Sequence, residues 1–196
     1  TMKMNVFILL AAVFFGGLTL SAQTITDHDN GKYSLSVGQV TLTVDASKGG
    51  KNISYRYDDK EILSQTRMPN SFGSTFWTSP QSEWNWPPVP EYDYKPFSAQ
   101  IKDASLVLTG EKSPRFGYRV RKEFTSNAKN QSIEITYTLI NESGETRKVA
   151  PWEISRVPNG GVLFFDAKEA TPANNMKGLP FEYKMKAAWY VLDEDQ

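Results

Sequence analysis

The stretch GSTFWTSPQSEWNWPPVPEYDY, residues 73–94, concentrates the side chains best suited to binding a ring-shaped, partly apolar ligand. It holds three of the chain's five tryptophans, Trp77, Trp84 and Trp86. Trp rings can stack on the apolar faces of pyranose sugars, while interleaved polar residues such as Gln81 bind the hydroxyls. The stretch is also rich in proline, which no helix or central strand tolerates at this density. The sequence predicts a long ordered loop whose rings either face a pocket or only seal one end of a sandwich.

A carboxylate in an apolar strand is the second candidate. Glu153 follows Trp152 in the segment APWEISRV. Buried carboxylates are rare unless they are paired, and Arg156 is near enough in sequence to be the partner. Regular alternation puts Glu153 and Arg156 on opposite faces, but Pro151 suggests a bulge that can re-aim them. Two interpretations stay open: a structural or exposed carboxylate, or a desolvated carboxyl group that acts as a general acid in a cleft.

The composition excludes several kinds of chemistry. The chain has no cysteine and one histidine, His28, which excludes Cys nucleophiles and leaves almost no room for a catalytic triad or a multi-histidine metal site. Its 22 basic and 22 acidic residues balance, so the composition shows no excess of positive charge that would indicate binding to nucleic acid or to an anionic membrane. The segment DHDNG, residues 27–31, has its glycine too early for a helical calcium loop and is typical of a turn. We expect no metal and no cofactor.

Residues 1–22 have the pattern of a secretory signal peptide. Lys3 precedes the apolar run VFILLAAVFF, and small residues ending at Ala22 suggest the cleavage site. The alternative is a membrane anchor, but the run is shorter than the roughly 20 apolar residues needed to span a bilayer. The sequence therefore predicts a secreted or periplasmic protein that is free of the membrane after cleavage.

Alternation of apolar and polar residues dominates the rest of the chain. It is seen in VTLTV, ISYRY, SLVLTG, FGYRVRKEF and SIEITYTLI. Such period-two patterns, rich in Thr, Val, Ile and Tyr, are typical of half-buried antiparallel strands. The segment TSNAKNQ between the last two predicts a hairpin, whereas YKMKAAWYVLDEDQ fits either a strand or a helix.

These patterns predict an all-β protein of packed antiparallel sheets. We interpret residues 23–34 as an N-terminal tail and residues 35–196 as one β-sandwich domain. The chain ends shortly after the apolar run Trp189-Tyr190-Val191. We therefore expect the domain to be incomplete at its C-terminus.

The motifs GSTFWTSPQSEWNWPP and APWEISRVPNGG resemble those of a secreted bacterial family of unknown function in the galactose mutarotase-like (aldose 1-epimerase-like) superfamily. The resemblance covers roughly residues 35 to 166. It implies an antiparallel β-supersandwich with a sugar-binding cleft on one sheet. Enzymes of the superfamily open and reclose a hemiacetal ring with a general acid, usually His, and a Glu base. The resemblance places Glu153 where the His is expected, and the Glu base would fall beyond Gln196.

Three functions remain open. The first is a carbohydrate-binding protein on this scaffold with weak or lost aldose 1-epimerase activity, its partner being a small-molecule carbohydrate. The second is an active epimerase with Glu153 as acid and a downstream carboxylate as base. The third is a structural or surface-interaction β-domain. The missing His favours the first over the second, and the polar residues among the tryptophans favour both over the third. The candidate substrate-binding residues are Trp77, Gln81, Trp84, Trp86, Trp152 and Arg156.

Overall fold

The alternating segments fold into antiparallel strands. The computed structural model describes residues 23–66, 72–167 and 181–192; the predicted signal peptide, residues 1–22, lies outside them. The strands are β1 (Gln23–Asp27), β2 (Lys32–Val37), β3 (Val40–Asp45), β4 (Lys51–Tyr57), β5 (Lys60–Glu61), β6 (Ser74–Ser79), β7 (Ser98–Lys102), β8 (Ser105–Thr109), β9 (Tyr118–Asn127), β10 (Ser132–Asn141), β11 (Ala150–Ser155), β12 (Gly161–Asp166), β13 (Glu182–Lys184) and β14 (Ala187–Leu192). A 3-10 helix (Gln81–Glu83) and a short helix α1 (Pro90–Asp93) lie between β6 and β7.

The strands form three sheets. The first has the order β1-β2-β3-β4-β6-β11, with β5 added to β4. The second has the order β10-β9-β8-β7, and the third, smaller sheet has the order β12-β14-β13. The β4–β6 contact in the first sheet rests on one residue pair, Asn52 opposite Ser74. No helix in the described ranges is both long and apolar enough to cross a membrane.

The first two sheets enclose a common hydrophobic core. Leu35 and Leu42 of the first sheet belong to the same buried cluster as Leu106, Val120 and Phe124 of the second. Because successive side chains of a strand point to opposite faces, the apolar set of each alternating segment lies on the core side. The prediction of an all-β architecture of packed antiparallel sheets is confirmed.

Two local predictions can be compared directly with the structure. The hairpin predicted at TSNAKNQ is confirmed, since Asn127 pairs with Ser132 across the turn between β9 and β10. The Asn127 side chain accepts hydrogen bonds from the backbone N–H groups of Lys129 and Asn130, which stabilises that turn. The undecided C-terminal segment forms a hairpin of β13 and β14.

Residues 23–34, interpreted from the sequence as an N-terminal tail, instead form β1 and the first half of β2. The two strands pair from Gln23 opposite Val37 to Asp27 opposite Tyr33. The side chain of Ile25 packs against the core. A strand with one inward apolar residue carries too little alternation to be recognised from sequence, which explains the error.

The Trp-rich stretch also differs from the predicted loop, because its first part is a regular strand. Trp77 lies within β6, and the first proline of the stretch, Pro80, follows the end of that strand. Pro90 occupies the first turn of α1, where its missing N–H is tolerated. The prolines therefore lie outside the β-ladder, and a strand and two short helices hold a segment that the composition alone assigned to a loop.

Candidate functional site

A cavity of about 550 Å³ lies beside β6 and the proline-rich segment that follows it. We call it the Trp77 cavity. Its aromatic lining residues are Phe72, Trp77, Trp86 and Tyr94, and its charged lining residues are Lys48, Lys51, Asp93 and Arg156. Trp86 is 69% exposed and Tyr94 is 59% exposed, so both rings are accessible to a ligand. The volume and the mixture of rings with a few polar groups are typical of small-molecule sites.

The pairing of β6 with β11 decides which side chains reach this cavity. Trp77 lies directly opposite Trp152 in the ladder. Because side chains alternate along a strand, Thr75 and Trp77 face the cavity while Ser74 and Phe76 face the core. The cavity therefore lies on the face of this strand pair opposite to Ser74 and Phe76.

Pro151 does not introduce the bulge that the sequence allowed. The pairing of β11 with β6 passes Pro151 without a register shift. β11 is the last strand of its sheet, where a proline costs no ladder hydrogen bond on the open side. Glu153 and Arg156 consequently keep the opposite faces that regular alternation gives them.

Trp77 lies at the centre of a cluster of four tryptophan rings. Its ring centroid lies 5.8 Å from that of Trp84, 6.0 Å from Trp86 and 5.6 Å from Trp152, each in an edge-to-face arrangement. Trp84 is 3% exposed and its Nε1 donates to the Thr78 carbonyl at 2.9 Å. The cluster holds the loop onto the sheet, with Trp84 as its buried anchor and Trp86 at its solvent-exposed edge.

Specific polar contacts hold the charged side chains of the wall. Trp77 Nε1 donates to Asp93 Oδ1 at 2.8 Å, and Arg156 Nη1 donates to Thr75 Oγ1 at 2.8 Å. The Lys51 ammonium lies 4.0 Å from the centroid of the Phe72 ring, in a cation–π contact. These contacts orient the carboxylate and the guanidinium without tying the two to each other.

Glu153 lies on the core face, opposite Phe76 in the ladder. The Ser74 hydroxyl donates to Glu153 Oε1. Tyr137 of β10 stacks on Phe76 with ring centroids 4.8 Å apart, and burial together with the nearby Glu153 carboxylate raises the pKa of Tyr137 above its ordinary value. The surroundings of Glu153 are therefore the sheet-to-sheet interface and not the Trp77 cavity.

The structure brings a lysine to the same interior. Lys122 of β9 is 2% exposed, and its Nζ donates to the carbonyls of Gly49 at 2.8 Å and Gly50 at 3.0 Å. Burial lowers the pKa of Lys122 to about 8, while the negative charges of Glu153 and Asp93 oppose that change. Lys122 has the parity of the inward residues of FGYRVRKEF, and this was the sequence signal for its burial.

The predicted site residues divide among three places. Those that line the Trp77 cavity are Trp77, Trp86 and Arg156. Those that line a separate surface depression of about 450 Å³ are Gln81 and Trp152. Those that line neither are Trp84, which is buried within the tryptophan cluster, and Glu153, which is half-buried on the core face. Within the described ranges, Glu153 and Arg156 form no ion pair, so the structural pair that the sequence allowed is not formed.

Sequence reasoning did not select the two lysines of the cavity. Lys48 and Lys51 flank Gly49 and Gly50, which both have positive φ. Glycine favours such turns, and this turn packs against the segment that follows α1, where the backbone N–H of Gly49 donates to the Lys95 carbonyl at 2.9 Å. The two glycines of SKGGK were the sequence signal that a tight turn presents these lysines.

Among the residues that the structure describes, no three His, Asp or Glu side chains are grouped so that they could hold a metal ion. Comparisons of the chain with family models, with curated proteins and with solved structures found no match.

Proposed function

We propose that this protein binds a carbohydrate in the Trp77 cavity. The observation that supports the proposal is the placement of the exposed rings of Trp86 and Tyr94 beside charged hydrogen-bonding groups in one cavity of about 550 Å³. A pyranose ring offers a weakly polar C–H face to a Trp ring and hydroxyls to groups such as Asp93 and Arg156. The cavity volume leaves room for one or two such rings.

The proposed scaffold is a β-supersandwich of the galactose mutarotase type. Its support is the resemblance of two motifs, and these motifs contribute β6 and β11, the paired strands beside the cavity. The observed antiparallel all-β architecture is compatible with that assignment, which stays part of the proposal.

Binding is a better-supported function than anomer exchange. An epimerase of this kind needs an acid and a base that face the same sugar. Glu153 lies on the core face of β11, opposite Phe76, and does not line the Trp77 cavity. Among the described residues, Asp93 is the one carboxylate of the cavity wall, and a single carboxylate does not supply both roles.

The test is a titration of the full-length chain with a panel of neutral and charged monosaccharides, followed by Trp fluorescence and calorimetry. Trp86→Ala should weaken the binding that the panel reveals by roughly 1–3 kcal/mol, the scale of losing a buried contact surface. The matched control is Tyr57→Ala, which removes a ring that is 50% exposed and lies outside the cavity lining. If no sugar binds the wild type, or if both variants behave alike, the proposal fails and the aromatic cluster is structural.

We also propose that the protein is exported and that the mature chain starts at Gln23. The support is the signal-peptide pattern of residues 1–22. The side chain of Gln23 donates to the Ser126 carbonyl at 3.0 Å, so the proposed first residue of the mature chain is held by the fold. N-terminal sequencing of protein from the periplasm or the medium tests this. Recovery of the uncleaved chain from the cytosol would contradict it.

A further inference from the structure

The wall of the Trp77 cavity carries an excess of positive charge. Lys48, Lys51 and Arg156 line it together with one carboxylate, Asp93. The chain as a whole has 22 basic and 22 acidic residues, so this local excess does not follow from a basic composition. A concave surface with like charges on a low-dielectric wall focuses the field on a ligand of the opposite sign.

Arg156 is the group of the wall best suited to an anion. Its guanidinium is half-buried, and one of its five N–H donors is used by the neutral Thr75 hydroxyl. The carboxylate nearest in sequence, Glu153, faces the other side of the strand. Across the described ranges, neither Arg156 nor Lys48 forms a salt bridge. A planar guanidinium with free donors matches a carboxylate in a bidentate geometry.

Asp93 supplies one negative charge against the three cations of this wall, so the lining keeps a net positive charge. Its Oδ1 accepts the Trp77 indole N–H at 2.8 Å. The negative charge of Asp93 also acts on the ammonium of buried Lys122, where it opposes the lowering of the Lys122 pKa by burial. The carboxylate of the wall therefore has a contact on its protein side, whereas Arg156 and Lys48 form no salt bridge within the described ranges.

We infer that the Trp77 cavity selects an acidic sugar, a uronic-acid residue whose carboxylate binds Arg156 and Lys48 while its ring lies against Trp86. This inference rests on the proposed carbohydrate-binding function and specifies its ligand class. The exposed ring supplies sugar-face contact without charge, and the guanidinium supplies the discrimination between a uronate and the neutral sugar of the same stereochemistry.

The experiment compares galacturonate with galactose and glucuronate with glucose on the full-length chain, by calorimetry at low and at high salt. We expect a uronate to bind at least about tenfold tighter than its neutral parent at low salt, with the difference shrinking as salt screens the charges. Arg156→Gln should abolish that preference, so that the uronate and its neutral parent bind the variant with equal affinity. Lys102→Gln is the matched control, because it removes one positive charge from the exposed strand β7, outside the cavity.

Each alternative result has a defined meaning. Equal affinity for a uronate and its parent overturns this inference and leaves carbohydrate binding standing, whereas no binding of either class overturns both. Tighter binding of a sulfated sugar than of the uronate, or equally strong binding of acetate, overturns the uronate assignment. If Arg156→Gln does not fold, Arg156→Lys is the second variant, because it keeps the positive charge and loses the paired N–H donors of the guanidinium. An unchanged preference of Arg156→Lys for the uronate overturns the bidentate role of Arg156.

Discussion

Glu153 and Arg156 serve opposite faces of one strand pair: Glu153 accepts a hydrogen bond from Ser74 on the core side, and Arg156 donates to Thr75 on the cavity side. The uninterrupted register of β6 and β11 enforces this separation. One short segment of sequence thus contributes a carboxylate to the interior and a guanidinium to the candidate ligand site. Substitutions at the two positions should have separable effects.

Glu153→Gln should lower stability and leave sugar affinity unchanged. Removing the charge leaves the buried Lys122 ammonium with less compensation, and we expect a loss of about 1–3 kcal/mol. Urea unfolding measures the first effect and calorimetric titration the second. Glu134→Gln, on the exposed side of β10, is the control and should change neither. Loss of sugar binding in a stably folded Glu153→Gln protein would place Glu153 at the ligand after all.

Trp84 and Trp86 should respond differently to truncation although they are separated by a single residue. Trp84→Ala removes a buried ring and its hydrogen bond to Thr78, and should cost about 3–5 kcal/mol of unfolding free energy. Trp86→Ala removes a ring that is largely in solvent, and should cost less than about 1 kcal/mol while weakening sugar binding. Chemical denaturation of the two variants side by side tests this, and equal losses of stability would contradict the division of roles.

The buried amine of Lys122 should make stability rise with pH. Its pKa is about 8 in the folded protein and near 10.5 when unfolded, so below about pH 8 it is charged in both states and the cost of burial is fully present. Above that pH the Lys122 amine loses its proton in the folded protein and keeps it in the unfolded chain, so the free-energy cost of burying a charged lysine is relieved. Relative to Lys122→Met, the wild type should gain about 2 kcal/mol between about pH 7 and pH 9.5.

That pH range avoids the buried tyrosines. Burial raises the pKa of Tyr137 and of Tyr92, so their ionisation favours the unfolded chain only above about pH 10. Lys102→Met, which truncates an exposed lysine, should follow the wild-type profile. Parallel profiles for the wild type and Lys122→Met would show that the amine is not desolvated.

Gly49→Ala should destabilise the turn that carries the cavity lysines. A Cβ at Gly49 would lie 2.3 Å from the Asp93 carbonyl oxygen, and the residue has φ +66°. Gly144 has φ +78° with no heavy atom within 4 Å of such a Cβ, so Gly144→Ala isolates the backbone strain of about 1–2 kcal/mol. We expect Gly49→Ala to lose about 1–3 kcal/mol more than this control, because backbone must move. Thermal unfolding of both variants measures the difference.

Several features of the fold were predictable from the sequence because they are local. The alternation in FGYRVRKEF and SIEITYTLI identified β9 and β10, and the turn chemistry of TSNAKNQ identified their connection. These strand and turn inferences succeed because side-chain periodicity and turn preference depend on a few neighbouring residues. Of the binding residues selected by type, Trp77, Trp86 and Arg156 line one cavity, whereas Gln81, Trp84 and Trp152 do not line it.

The sequence by itself determined the strongly alternating strands such as β9 and β10, the absence of cysteine chemistry and a supply of rings and charges for a ligand site. Only the tertiary structure decided where those groups point. The pairing of β6 with β11 joins segments more than 70 residues apart, and its register sends Glu153 to the core and Arg156 to the cavity. The burial of Lys122 likewise depends on carbonyls of a distant turn, at Gly49 and Gly50. Local periodicity sets which residues share a face, but the partner strand and the loop packed on it decide what that face meets.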